Sequence, residues 1–382
     1  MKRLGVLLSL RLRTLYFLVV LSISMTACVS ILEFDTSNSQ EQIVIFGKVT
    51  NSTSFDQGFT VKRSDLETQV GLSFQEALVV VTDETTNQSY NYQYDQESDR
   101  FIPVVPFAGV PGHSYRARVS IDDQVFESTS QRMPLYGAQD TSYYRFEREE
   151  IITEAGSAVK YRLKVFTDSQ IPETDEPIFM RWDVEQVYIL EEVVLPTSSF
   201  PFYSPGVCYV YEENFANDRV NLFNGDVLKT SLIQELEVAD IPFDNSFINI
   251  RGYGIIQSSI TREAANYWKN VIDVSDREGS IFEVPPAPVL GNFQDIENPA
   301  NAPLGFFEVA KVDTSGTFVL KGDIPVAIGR APEFPFCGFP TTMFLRVPLN
   351  CFPCLEDLGV PSYCWNCTSL PNSTRRRPSY LF

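Results

Sequence analysis

The feature that most restricts what this chain can fold into is a two-residue alternation that recurs between closely spaced turn signals. In Tyr115-Arg116-Ala117-Arg118-Val119-Ser120-Ile121 the apolar residues share one face and both arginines the other, as in a strand with one buried side. Pro111-Gly112 precedes this run, and Asp122-Asp123 turns it into Val125-Phe126-Glu127-Ser128. Residues 43–49, 77–81 and 101–105 read as further strands, with breaks at 51–54 and 83–87. Later, Tyr161, Leu163 and Val165 alternate with Arg162 and Lys164, and 179–185, 187–194, 208–211 and 247–256 continue in the same way. The period changes once. Thr261 reads as an N-cap before Ala264, Tyr267, Trp268, Val271 and Ile272, which predicts a helix over 261–272 packed by its aromatic stripe on a sheet. Residues 305–310 and 317–320 read as two last strands before an irregular tail. The expected class is mainly β. A small Ig-like or transthyretin-like β-sandwich spans 41–134, a larger β-rich domain with the one helix spans 135–349, and a Cys-rich tail spans 350–382. An aromatic content of 13% and 24 scattered prolines fit short strands better than long helices.

The N-terminus constrains the compartment. Lys2, Arg3, Arg11 and Arg13 precede the apolar run 15–21, too short for a permanent helical span, and Met25-Thr26-Ala27-Cys28 resembles the lipobox of a bacterial lipoprotein signal. Residues 1–27 are therefore expected to be a signal peptide, Cys28 the lipidated residue, and 28–40 a polar tether. Glu33 and Asp35 in that tether resemble the export signals of surface lipoproteins in Bacteroidota. The expected location is the outer membrane, with the chain anchored by lipid on Cys28; outward display is what Glu33 and Asp35 would signal, and a plain solvated linker facing the periplasm is the alternative.

Charge then limits the partners. The chain carries 30 Lys and Arg against 49 Asp and Glu, and removal of the four basic residues of the signal leaves 26 against 49, a net charge of −23. Such a surface repels phosphate, which argues against nucleic acid. His113, the only histidine, sits in the turn Pro111-Gly112-His113-Ser114 and reads as a solvated side chain. Histidine-based catalysis and multi-histidine metal sites have no material to build on.

Several stretches together resemble one family. These are Val207-Cys208-Tyr209-Val210-Tyr211, Ser259-Ile260-Thr261-Arg262-Glu263-Ala264-Ala265-Asn266-Tyr267-Trp268, Leu290-Gly291-Asn292 and Leu304-Gly305-Phe306-Phe307. Their order and spacing are similar to those of uncharacterised outer-membrane lipoproteins of Bacteroidota, commonly encoded beside TonB-dependent receptors. The tail, with Cys364-Trp365-Asn366-Cys367 and then Arg375-Arg376-Arg377-Pro378-Ser379-Tyr380, resembles that family's ending. Cys351-Phe352-Pro353-Cys354 is a second pair outside the usual pattern. The resemblance implies a location and a TonB-dependent receptor as partner, and it carries no catalytic residues to transfer.

Beyond Cys28 there are six cysteines: Cys208, Cys337, Cys351, Cys354, Cys364 and Cys367. In an exported chain an even number points to disulfides, here three bridges among 15 pairings. Zinc on the two Cys-x-x-Cys pairs is the sharper alternative, against which their close spacing counts. A thiol oxidoreductase is disfavoured because Pro361, Pro371 and Pro378 leave no helix to activate a thiolate. No serine-nucleophile elbow, phosphate loop or calcium loop is present, and no cofactor is implied. The reading is a non-enzymatic accessory or substrate-binding partner of a TonB-dependent receptor. The alternatives are a stand-alone glycan- or peptide-binding module using Tyr203, Tyr209 and Tyr211, and a hydrolase using paired carboxylates.

Overall fold

A computed structural model describes residues 42–53, 57–64, 71–153, 156–192, 206–212, 220–275, 289–299, 301–326, 335, 337 and 359–378. The expected signal peptide, Cys28, the tether, Tyr203, Cys351 and Cys354 lie outside the described residues. The chain is mainly β, with one α-helix among the described residues.

The first sandwich starts with β1 (Gln42–Thr50), β2 (Phe59–Ser64) and the short β3 (Leu72–Ser73). It continues through β4 (Leu78–Asp83), β5 (Gln88–Asp95), β6 (Arg100–Pro103), β7 (Ser114–Ile121), β8 (Gln124–Ser128) and β9 (Gln131–Arg132). One strand belongs to both of its sheets. Residues 88–91 of β5 pair with β4, whereas 92–95 pair with β6, so β5 carries the chain from one layer to the other. Tyr115, Ala117, Val119 and Ile121 of β7 are all buried, as their alternation predicts, and face Ile45, Val49, Phe59 and Val61 from the opposite layer. On the outer face Arg116 pairs with Glu84 at 2.6 Å and Arg118 with Glu127 at 3.0 Å.

The second region begins with a hairpin, β10 (Gln139–Thr153) and β11 (Gly156–Gln170), to which β15 (Leu232–Pro242) adds a third strand. Facing it is a sheet of β12 (Phe179–Glu191), β13 (Val207–Tyr211), β14 (Asn221–Asn224) and β16 (Arg251–Ile260). Every residue of β16 is buried, because it has a layer on each side. Tyr253 and Ile255 point toward the hairpin sheet, while Ile256 and Ile260 meet α1 (Arg262–Ser275). Thr261 Oγ accepts from Ala264 N at 3.2 Å, the N-cap that the sequence predicts.

Late strands then return to both regions. β17 (Phe293–Asp295) pairs with β8, and β18 (Phe307–Val319) runs parallel to β1 over 307–310 and antiparallel to β16 over 311–319. The expected strands 305–310 and 317–320 are thus parts of one continuous strand, since the polar stretch between them pairs along β16. Phe293, Phe307 and Val309 complete the core of the first sandwich from far along the chain. Gly305 makes the approach close enough: its φ is +97°, and a Cβ there would collide with the Ile45 carbonyl. The tail is less irregular than its composition implies, for β19 (Ser373–Thr374) pairs with β13.

The sequence reading missed β2, β10, β14 and β15, and also the short β3, β9, β17 and β19. β10 carries Asp140, Arg145, Glu147, Arg148, Glu149 and Glu150, a charge density that hides its alternation. His113 is also not merely solvated: its Nδ1 lies 2.8 Å from Oδ2 of the buried Asp83.

Candidate functional site

Two places gather polar chemistry. The first is the junction where β18 passes from one region to the other. Glu308 is in register with Lys48 of β1, with a Nζ–Oε1 distance of 3.5 Å. Its Oε2 accepts from Arg181 Nη1 at 3.1 Å and from Trp268 Nε1 at 2.7 Å. The Arg181 guanidinium lies 4.2 Å from the centre of the Trp268 ring and also donates to Asp183 at 2.9 Å. Burial would push the Glu308 carboxyl up, but Arg181 and Lys48 beside it outweigh that and hold it below its ordinary value. This cluster keeps its charges for one another. It is a cross-brace between β1, β12, β18 and α1, and it accounts for part of the stretch 259–268 that the sequence reading singled out.

Leu290-Gly291-Asn292 and Leu304-Gly305-Phe306-Phe307 have a related role. Asn292 Nδ2 donates to Phe307 O at 3.0 Å, and Phe307 N donates to Asn292 Oδ1 at 2.8 Å. Ile45 N donates to Leu304 O at 2.8 Å and Gly47 N to Phe306 O at 3.1 Å. These motifs fasten late chain to the first strand.

The second place is concave. A groove of about 1150 Å³ opens between the segment after β9, the β11–β12 connection and the β14–β15 turn. Through shared Leu135, Tyr136 and Glu176 it continues into a smaller hollow of about 380 Å³ that reaches the start of α1. Phe223 and Ile171 form apolar floor, and Leu135, Tyr136 and Leu228 stand exposed at its edges. One wall is Pro172-Glu173-Thr174-Asp175-Glu176-Pro177, with the three acidic side chains exposed. A Cβ on Gly225 would collide with the Ile178 backbone, so the turn forming the opposite wall sits tightly on the floor. Sequence reasoning missed this site, whose only local sign is the proline-flanked acidic run.

Among the described residues Asp140 is the carboxyl that burial pushes above its ordinary value; its Oδ2 accepts from Trp182 Nε1 at 2.8 Å between the two sheets of the second region. It anchors β10 to β12 and lines neither hollow.

The cysteines and tyrosines gather elsewhere. Cys208 is bonded to Cys367 and Cys337 to Cys364, so both cysteines of the Cys364–Cys367 pair reach distant partners. In this state neither sulfur is a thiolate for zinc or for exchange within the motif. Buried Glu192 completes the attachment of the tail. Its Oε1 accepts from Cys367 N at 3.0 Å and from Arg375 Nη2 at 2.6 Å, and its Oε2 from Gly206 N at 2.7 Å. Arg375 is thereby tied down, and Arg377 lies over the Phe318 ring at 5.7 Å. Tyr209 and Tyr211 are half-buried, packed with Phe318 around Val187.

Among the described residues no helix is long and apolar enough to cross a membrane. Neither curated proteins nor solved structures give a match to this chain. A family model does match residues 29–315, which cover both β regions and stop short of the cysteine-rich tail. The chain belongs to the family described as a domain of unknown function, DUF4249.

Proposed function

We propose that this chain is a Bacteroidota outer-membrane lipoprotein, anchored through lipid on Cys28, that serves without catalysis as an accessory or substrate-binding partner of a TonB-dependent receptor. The observation that carries the reading is the pair of long-range disulfides, Cys208–Cys367 and Cys337–Cys364. Bridges of this kind persist in exported proteins and are rare in the reducing cytosol. They fit the lipobox-like Met25–Cys28 that immediately precedes the family span. A non-enzymatic role is supported by the junction charges, which are engaged with each other. The acidic surface fits a neutral or cationic partner. The test is affinity capture of the tagged chain from membranes extracted in mild detergent. A TonB-dependent barrel in stoichiometric amount is expected. Recovery of the chain alone would overturn the partnership and leave a stand-alone glycan- or peptide-binding module.

A further inference from the structure

We infer that the groove lined by 172–177 and 225–231 is a binding site for an extended cationic peptide segment, one that presents lysines or arginines beside small apolar side chains. The inference goes beyond the receptor reading and does not depend on it. Three properties of the groove converge on this ligand class.

The first is shape. At about 1150 Å³ the hollow exceeds what one small metabolite needs, and its extension toward α1 makes it a trough rather than a pit. The second is apolar surface left uncovered inside it. Leu228 is 58% exposed and Tyr136 48% exposed, and both line the hollow together with Phe223. Paired with the backbone of an extended segment, such side chains would receive alternate residues.

The third is charge. Glu173, Asp175 and Glu176 form no ion pair within the described residues and outnumber the other cations of the lining, Lys229 in the groove and Arg132 in the smaller hollow, while Arg262 and Asp226 pair with each other. Pro172 and Pro177 bracket the acidic run and restrict its backbone, so the carboxylates are held at the wall before a ligand arrives. A chain of net charge −19 adds long-range attraction for a cation. A neutral oligosaccharide would use the tyrosine and hydroxyls but would leave the three carboxylates without a counter-charge.

The test uses the full chain in nonionic detergent and reads fluorescence anisotropy of a labelled peptide, Lys-Ser-Leu-Lys-Ser-Leu-Lys, with empty micelles as the blank. Saturable binding is expected, weakening at least about tenfold between 20 and 300 mM salt as screening grows. The triple variant E173Q/D175N/E176Q should weaken it by about tenfold or more, and Y136A/L228A by about fivefold, with the unfolding midpoint unchanged. The same peptide with glutamate for lysine should not bind. Equal binding of that acidic peptide, unaltered affinity in the triple variant, absence of saturation, or calorimetric binding of maltohexaose instead of the peptide would each overturn the inference. None of these results involves the receptor, so this proposal and the partnership fail separately.

Discussion

The two β regions solve the same burial problem with different materials. The first sandwich lines its interior with aromatic and branched side chains, such as Phe59, Val81, Phe101, Val119 and Phe126, and buried polar groups such as Thr50, Asp83, Ser128 and Gln131 sit at strand ends. The second buries Arg181, Arg251, Gln257, Ser258, Ser259 and Glu308 among its apolar residues, and its far edge is held by disulfides. A sheet with one solvated face can satisfy itself by alternation. A strand such as β16, covered on both faces, has to place its polar side chains inside. The comparison teaches that the first region is specified by pattern and the second by partners, and that the two meet in β18, which belongs to both.

The largest effect should come from cutting that link. A chain ended at Leu135 keeps β1 to β9 but loses Phe293, Phe307 and Val309 from its core. It should show no cooperative unfolding transition by circular dichroism and no dispersed amide spectrum. A folded fragment would break the contrast by showing that local pattern suffices. Next is the brace. Glu308→Ala leaves buried Arg181 with only the half-exposed Asp183 as counter-charge and should cost about 3 kcal/mol in denaturant unfolding, whereas R181M/E308L should recover most of that loss. If the double variant is as unstable as the single, packing rather than unpaired charge is responsible.

The disulfide Cys208–Cys367 closes a separation of 159 residues. Replacing both cysteines by serine should cost about 3 kcal/mol and speed amide exchange in β13 while leaving β7 unchanged. Equal acceleration in both would show that the regions unfold as one. In the first region Asp83→Asn should cost about 2 kcal/mol at neutral pH, where the carboxylate accepts from Thr85 N at 2.9 Å and pairs with His113. Burial pushes the Asp83 carboxyl up, but the hydrogen bonds from His113, Thr86 and Thr85 outweigh it and hold it below 3.8. The folded pKa being the lower one, this stabilisation is present above the unfolded value and is lost as pH falls through the folded value. Stability curves of the wild type and the asparagine variant should therefore converge as the pH falls through the folded value, on the acid side of the ordinary aspartate range. The smallest effect is local: Thr261→Ala removes the cap of α1 and should cost about 1 kcal/mol, read as a small drop in the melting midpoint.

Parts of this were legible beforehand for physical reasons. The alternation in β7 and the stripe of α1 are short-range periodicities, and both emerge as expected, as does the cap at Thr261. β10 and β15 were hidden because charged side chains on a solvated face dilute the apolar signal. The continuity of β18 was hidden because Lys311 to Gly316 look like a break until β16 lies beside them. The candidate groove draws on three segments, 135–136, 171–178 and 223–231, that are remote from one another in the chain, so only its acidic wall leaves a trace in sequence.

By itself the sequence determined the β class, the position of the helix, the expectation of export and the use of cysteines in disulfides, since each depends on neighbouring residues or on composition. Only the tertiary structure decided which cysteines join, which carboxylates are engaged and which stand free, and that the first sandwich is completed by β17 and β18. Those outcomes depend on distances between residues remote in the chain. A linear pattern records a side chain's character but not the partner that burial will bring to it.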